Sequence, residues 1–198
     1  MILPLSFWIV LVSTIVLGII VLCSYAIFLP KCCCEDGATT DLWGGLANPI
    51  VRSFYLVSIL LAAISYLVMF TFALETSVSL KTEWIVGNIL FLVGASLWPV
   101  FLCFSFPELS TTTTPSFLSS IKKAGVALSL CLTSLGAGLM VWGLHRQFPI
   151  SSFSAATSNS STVLEKVVWA FTLYLFFHVF FLDNIVWLVS YWVSSSSS

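Results

Sequence analysis

The sequence predicts an all-α integral membrane protein, a bundle of five transmembrane helices joined by short loops. Five long apolar stretches cover most of the 198 residues, and the mean hydropathy is +1.09. Charged residues make up only 8% of the chain, against about a quarter in ordinary soluble domains. Because about 20 apolar residues in helical form cross the hydrocarbon core of a bilayer, each stretch is long enough to span it.

The five predicted helices cover roughly residues 5–29, 53–74, 84–106, 121–144 and 163–193. Their connections are short and leave no room for a separate globular domain. We therefore treat residues 1–198 as a single transmembrane domain that closes with a disordered serine tail at 194–198.

The first apolar stretch is interpreted as a retained helix. It is longer than the apolar region of a secretory signal, no basic residue precedes it, and it has no A-x-A site. Pro30 and Lys31 are expected to close this helix, and the cysteine-rich run after them is expected to be an irregular loop. The connection at 76–83 is so short that helices two and three are expected to be antiparallel neighbours.

The third and fourth helices carry proline and small residues. Pro99 is expected to kink helix three, since proline lacks the amide hydrogen and clashes with the preceding turn. Helix four is dense in glycine, alanine and serine, which let two helix backbones approach closely in lipid. The predicted helix-packing residues are Gly125, Ser129, Ser134 and Gly138 of helix four, with Gly94 of helix three as a complementary surface.

The fifth helix has many aromatic side chains and almost no small ones. Trp169 is predicted to lie at one membrane interface, and Trp187, Tyr191 and Trp192 at the other. The phenylalanines between them occupy every face of the helix, so they cannot all pack inside a five-helix bundle. Some of these rings are therefore expected to meet lipid, a partner protein or a flat apolar ligand.

Ionisable and amide side chains inside apolar helices are costly in lipid and indicate function. The intramembrane polar candidates are His178, Asp183, Asn88 and Tyr174. His178 is predicted to be the deepest titratable group, hydrogen-bonded to Tyr174 one turn away. Asp183 is expected to reach interfacial water and, at five residues from His178 in an α-helix, to point about 140° away from it.

Five spans place the two termini on opposite sides. The distribution of basic residues weakly favours an outer or lumenal N-terminus and a cytoplasmic C-terminus. Two short motifs agree with it. Asn159 begins an N-x-[ST] glycosylation pattern in the last loop, and Cys32, Cys33 and Cys34 have the juxtamembrane position typical of S-palmitoylation. If the orientation is inverted, the same cysteines can form disulfides.

Several classes of function are disfavoured. The net charge of −1 without a basic tract argues against nucleic acid as a partner. Consecutive cysteines lack the spacing of a zinc site, so we predict no metal. No sequence pattern of a hydrolase, metalloprotease or nucleotide-binding loop occurs, and we do not expect an enzyme. The cofactor is unknown, with none expected beyond bound lipid.

The leading interpretation is a noncatalytic multi-pass subunit or scaffold that packs with other integral membrane subunits or with itself, surrounded by membrane lipids. One alternative is a small transporter or channel, with a path near His178, Asn88 and Asp183 and with Pro99 as a hinge. A second is a pigment- or haem-binding subunit, with His178 as axial ligand. The expected location is a eukaryotic endomembrane or plasma membrane, the alternative being an organelle inner membrane.

Overall fold

A computed structural model of the protein describes residues 5–34, 49–75, 81–103, 115–148, 160–187 and 189. Within this part of the chain the structure is helical and contains no strand. The helices are α1 (Leu5–Cys34), α2 (Pro49–Glu75), α3 (Thr82–Cys103), α4 (Pro115–Gln147) and α5 (Ser160–Phe177), and α5 continues as a π-helical segment over His178–Trp187. Five helices are long and apolar enough to cross a membrane, which confirms the predicted all-α class.

The helices extend beyond the apolar stretches that predicted them. α1 runs through Pro30 and Lys31 to Cys34, so this proline does not close the helix and the three cysteines belong to it. Proline removes one backbone hydrogen bond, but it does not always end a helix. α4 begins at Pro115, a residue well suited to a first helical position because its missing amide hydrogen has no partner there. Hydrophobicity alone marks the apolar part of a helix and not its polar ends.

Contacts between helix ends show that α3 and α4 run in opposite directions, as do α2 and α5. At one end, Arg146 near the end of α4 donates a hydrogen bond to Glu83 at the start of α3. At the other end, Tyr55 near the start of α2 donates to Asp183 near the end of the π-helical segment. We refer to these as the Glu83 end and the Asp183 end.

Small residues bring α3 and α4 together. A Cβ atom built on Gly87 of α3 would lie 2.6 Å from the carbonyl oxygen of Gly136, and one on Gly143 would lie 2.7 Å from the amide nitrogen of Trp84. Real Cβ atoms do not approach other atoms this closely, so the contact requires glycine. α3 packs on its other side against α1, while α5 packs against α4 and α2.

Helices two and three are antiparallel and in side-chain contact, as predicted, but their backbones do not pack closely in the described part of the chain. The backbone of α2 packs against α5, and α2 reaches α3 through long side chains. The rings of Tyr66 and Phe91 stack with 5.4 Å between their centroids. A short connection makes two helices antiparallel, but the glycine surface of α3 is used by α4, and aromatic rings hold α2 at a greater distance.

One apolar cluster joins all five helices. It includes Val10 of α1, Met69 of α2, Trp84 of α3, Met140 of α4 and Leu175 of α5, all buried. Burial of side chains from every helix in one cluster indicates a single packed core.

Candidate functional site

Five polar side chains meet where α2 packs against α5 and the π-helical segment. Tyr55 and Ser58 come from α2, Tyr174 from α5, and His178 and Asp183 from the π-helical segment. We call these five residues the His178 cluster. Tyr55 and Ser58 lie three residues apart, so they occupy the same face of α2 and reach the same part of α5.

The π-helical segment explains how His178 and Asp183 come together. In a π-helix the backbone hydrogen bonds join residues five apart, which brings such residues to neighbouring positions on one face. His178 Nε2 lies 3.6 Å from Asp183 Oδ1. The prediction that these two residues point apart assumed a regular α-helix and is wrong for this segment.

His178 is buried, with 4% of its surface exposed, and both of its ring nitrogens face polar groups. Nδ1 lies 2.7 Å from Ser58 Oγ, and the same Ser58 oxygen lies 2.8 Å from the hydroxyl of Tyr174. Ser58 therefore bridges Tyr174 and His178, in place of the direct hydrogen bond expected from the sequence. Nε2 faces the carboxyl of Asp183 at a distance longer than a hydrogen bond.

Asp183 is held by groups from two helices. The hydroxyl of Tyr55 donates to Asp183 Oδ1, and the Tyr55 ring lies 5.8 Å from the imidazole ring of His178. Tyr25 of α1 also interacts electrostatically with Asp183. The Asp183 side chain keeps 20% of its surface exposed, against 5% for that of His178.

One set of proton positions is consistent with the observed contacts of the cluster. Tyr174 donates to Ser58, Ser58 donates to His178 Nδ1, and the hydrogen on Nε2 points toward an Asp183 carboxylate that also accepts from Tyr55. An added proton has two places to bind: a carboxylate oxygen of Asp183, or Nε2 of His178 when the imidazole takes the other tautomer and donates from Nδ1 to Ser58. The arrangement is thus a chain of hydrogen-bonding groups that can hold one further proton.

Asn88 belongs to a different network. It is fully buried in α3, where its Oδ1 accepts a hydrogen bond from Tyr66 at 2.9 Å and its Nδ2 donates to Thr14 Oγ1 at 3.0 Å. Thr14, Asn88 and Tyr66 join α1, α3 and α2. The described hydrogen bonds of Asn88 do not connect it to the His178 cluster, although the sequence placed both on one hypothetical path.

A third polar contact joins α4 to the π-helical segment. Asn184 donates to the carbonyl oxygen of Leu130 at 3.1 Å and to the hydroxyl of Ser134. Ser134 in turn donates to the carbonyl oxygen of Val179 at 3.2 Å. Ser134, predicted as a packing residue, therefore acts here through a hydrogen bond across the helix pair.

The other predicted packing residues differ in how tightly they are packed. Gly94 lies against Ser129, since a Cβ at Gly94 would be 2.6 Å from the Ser129 carbonyl oxygen, and Gly125 lies against the Phe101 ring. Gly138 has more room, with the nearest atom to its hypothetical Cβ at 3.5 Å in Phe176. The tightest approach on this part of α4 is at Gly136.

Trp169 was predicted to lie at one membrane interface, but its side chain packs inside the bundle and does not face lipid as a belt residue does. It is buried near the Glu83 end, where its Nε1 donates to the carbonyl oxygen of Phe148 at 3.1 Å. An indole nitrogen needs a hydrogen-bond partner wherever it lies, and the last turn of the α4 region supplies one here. The other predicted belt residues, Trp187, Tyr191 and Trp192, have side chains outside the described part.

The geometry does not fit axial ligation of a haem by His178. Both ring nitrogens face polar side chains, so neither is open to a metal. The nearby phenylalanines Phe177, Phe180 and Phe181 are exposed while His178 is buried, so their rings do not enclose a pocket around it. In addition, the described residues contain no group of three His, Cys, Asp or Glu side chains placed to hold a metal ion.

Two candidate modification sites lie outside what the structure describes. The backbone of Cys32, Cys33 and Cys34 forms the last turn of α1, but their side chains are not described. Asn159 precedes α5 and also lies outside the described residues. Both remain predictions from the sequence.

Sequence reasoning did not assign a functional role to Tyr55, Ser58, Tyr66, Thr14 or Asn184. Hydroxyl and amide residues are common in membrane helices, and nothing in a single sequence says which of them face one another. One feature of the sequence does indicate the contact. Tyr55 and Ser58 lie on one face near the start of α2, and antiparallel packing of α2 with α5 can bring this face beside the end of α5.

Comparison of the chain with protein-family models, with curated proteins and with solved structures finds no match.

Proposed function

We propose that this chain is a multi-pass integral membrane protein whose five apolar helices each cross the bilayer, and that it serves as a noncatalytic subunit or scaffold in a larger membrane assembly. The observation that supports the proposal is that the rest of the bundle buries some helices much less than others. Only 11% of the apolar segment of α1 and 28% of that of α2 are buried, against 50% for α4. Such apolar surface is stable in lipid or against another apolar chain, and unstable in water.

The apolar segment of α1 is the least covered of the five. It packs mainly against α3, and its exposed apolar side chains extend over several turns on other faces. Ile15, Ile19 and Leu22 are among the most exposed of them. A long helix held on one side is suited to a second contact with another membrane helix, where close packing adds dispersion contacts that lipid chains do not match.

The buried polar groups support a structural role for most of the bundle. Thr14, Asn88 and Tyr66 join three helices, and Asn184 with Ser134 joins α4 to the π-helical segment. Hydrogen bonds between helices in lipid contribute about 0.6 to 2 kcal/mol each and fix how the helices face each other. These groups are used in holding the bundle together.

The proposed orientation places the Glu83 end outside or in a lumen and the Asp183 end in the cytoplasm of a eukaryotic endomembrane or plasma membrane. An organelle inner membrane is the alternative location. Lipidation of Cys32, Cys33 and Cys34 fits this orientation, because the apolar segment Leu5–Ile27 ends shortly before them. Glycosylation of Asn159 fits it as well, since α4 ends at the Glu83 end and Asn159 directly precedes α5 in the sequence.

Native mass spectrometry after extraction in mild detergent tests the proposal. We expect the chain to leave the membrane with another integral subunit or with further copies of itself. The double substitution Ile15→Ala with Ile19→Ala on α1 is expected to reduce this association. The matched control, Leu128→Ala with Leu135→Ala, changes equally exposed leucines of α4. A lone 21.7 kDa chain from native membranes would contradict the proposal.

A small transporter is the second candidate, and the observation that favours it is the buried chain of polar groups from Tyr174 to Asp183. The path differs from the one expected, because Asn88 is bound in its own network and Pro99 is fully buried in α3. Ion flux in proteoliposomes tests it, with His178→Ala expected to abolish transport. Unchanged flux in that variant would rule out a path through the His178 cluster.

A further inference from the structure

We propose that the His178 cluster is a buried proton-binding site, in which Asp183 and His178 together take up one proton and exchange it with water at the Asp183 end. The inference is independent of the subunit role and needs no transport. It rests on the contact of a carboxyl and an imidazole inside an apolar bundle, with hydroxyl groups on both sides.

The first step is the proximity of two groups that can each bind a proton. His178 Nε2 and Asp183 Oδ1 are 3.6 Å apart. Two ionisable groups at this distance in a low-dielectric surrounding interact strongly, and they bind protons as a pair and not as separate residues. Protonation of the pair by one equivalent changes its net charge by one unit, whichever of the two residues holds the proton.

The groups that surround Asp183 come from several helices. The described titratable groups that interact with Asp183 are Tyr25 from α1, Tyr55 from α2 and His178 from its own segment. α4 supplies Ser134 to this region, where it accepts a hydrogen bond from Asn184 of the π-helical segment, and neither side chain titrates. With two phenol hydroxyls and one imidazole as neighbours, the carboxyl has no permanent cation among these groups to keep it ionised.

The second step is the route for the proton. Asp183 is partly exposed, as are Tyr55, Ser58 and Tyr174, whereas His178 is buried. Beyond His178, Ser58 and Tyr174 continue the hydrogen-bonded chain at 2.7 and 2.8 Å. A proton that arrives at the Asp183 carboxylate is held there. When the imidazole is in the tautomer whose Nδ1–H donates to Ser58, Nε2 is unprotonated and can take the proton from Asp183 once the two side chains close the 3.6 Å between them.

The π-helical segment is a feature that a purely structural helix does not need. π-helical turns weaken the regular backbone hydrogen bonding and are found most often at functional sites. Here the π-helical turns place Asp183 beside His178. A regular α-helix over the same residues separates them.

The test is infrared difference spectroscopy of the purified protein in lipid nanodiscs, titrated from about pH 4 to about pH 9, which spans the range of ordinary histidines and shifted carboxyl groups. The difference between the native chain and Asp183→Asn isolates the Asp183 carboxyl from the other acids. We expect a protonated-carboxyl band that disappears across the titration and is missing in Asp183→Asn. A band that keeps constant intensity, or is absent throughout, would overturn the proposal.

A second variant keeps the test decisive if Asp183→Asn fails to fold. Tyr55→Phe retains the carboxyl and removes the hydroxyl that stabilises its charged form. We expect the midpoint of the carboxyl band to move to higher pH by about one to two units, from the strength of a hydrogen bond to a charged group. Ser53→Ala, an exposed change on the same helix, is the control and leaves the midpoint in place. An unmoved midpoint in Tyr55→Phe would contradict the assigned site.

A third variant distinguishes a shared proton from one bound by Asp183 alone. His178→Gln keeps a polar side chain of similar reach and removes the second proton acceptor. We expect the midpoint of the Asp183 band to shift relative to the native chain, since the two groups titrate as a pair. A midpoint identical to that of the native chain would show that His178 takes no part in the site.

Discussion

The imidazole of His178 and the carboxyl of Asp183 face each other across 3.6 Å, five residues apart in one helical segment. This contact exists because the chain from His178 to Trp187 is π-helical. Tyr55 and Ser58 of α2 complete the group from the other side. The most unusual polar site in the bundle is thus produced by a local departure from α-helical geometry.

The contact between α3 and α4 predicts that Gly136→Ala destabilises the fold. The added methyl group would lie against the Phe91 backbone and 2.6 Å from the Gly87 carbonyl oxygen. Overpacking of this kind costs about 1 to 3 kcal/mol. Unfolding in increasing SDS, followed by circular dichroism, measures the change. Gly18→Ala is the matched control, because nothing lies within 4 Å of its hypothetical Cβ. Equal stability of the two variants would refute the close approach at Gly136.

Removal of the Asn88 amide is predicted to loosen three helices at once. Asn88→Leu keeps much of the side-chain volume but leaves the hydroxyls of Tyr66 and Thr14 without this partner. We expect a loss of about 1 kcal/mol or more in the free energy of unfolding. Thr71→Val is the control, since Thr71 is exposed and bonds only to its own helix at Leu67. A loss no larger than that of the control would mean that the network does not join the helices in solution.

Arg146 and Glu83 predict a charge-reversal test at the Glu83 end. Either Glu83→Arg or Arg146→Glu alone places like charges side by side, and a lower melting temperature is expected. Combining the two restores an opposite pair and is expected to recover part of the loss. Full recovery is not expected, because an arginine in the first turn of α3 opposes the helix dipole. Absence of any recovery would show that the two side chains do not pair.

Tryptophan fluorescence provides a test of which surface meets lipid. Trp142 is 55% exposed on α4, whereas Trp169 is 5% exposed and packed near the same end. In variants that retain only one of these tryptophans, we expect lipids with brominated acyl chains to quench Trp142 strongly and Trp169 weakly. Quenching of both to the same degree would contradict either the burial of Trp169 or the lipid exposure of α4.

The five long helices and their apolar surfaces could be predicted from the sequence, because a helix must have a minimum apolar length to cross a bilayer. The sequence also identified the small-residue surface of α4, although it ranked Gly138 alongside residues that are packed more closely. The sequence did not predict that α2 packs against α5. That pairing depends on which faces fit best, and α3 is taken up by glycine contacts with α4 and by α1.

Sequence reasoning selected His178, Asp183 and Tyr174 as polar candidates, but it did not predict their geometry. The rotation per residue in a regular helix separates His178 from Asp183, and only the π-helical turns reverse that result. The sequence also did not predict that Ser58 contacts His178, because Ser58 belongs to a different helix that is far away along the chain. Local spacing finds candidates within one helix, whereas the cluster is formed between two.

The membrane-spanning arrangement is tested most directly by the sidedness of single cysteines introduced into a cysteine-free chain in sealed vesicles. The positions are described, exposed residues at the two ends of the bundle: Leu5, Lys81 and Lys166 at the Glu83 end, and Ser53 and Val189 at the Asp183 end. With an impermeant maleimide, the three positions at the Glu83 end are predicted to react from one side of the membrane and the two at the Asp183 end from the opposite side. Reaction of all five positions from the same side would contradict five crossings of the bilayer.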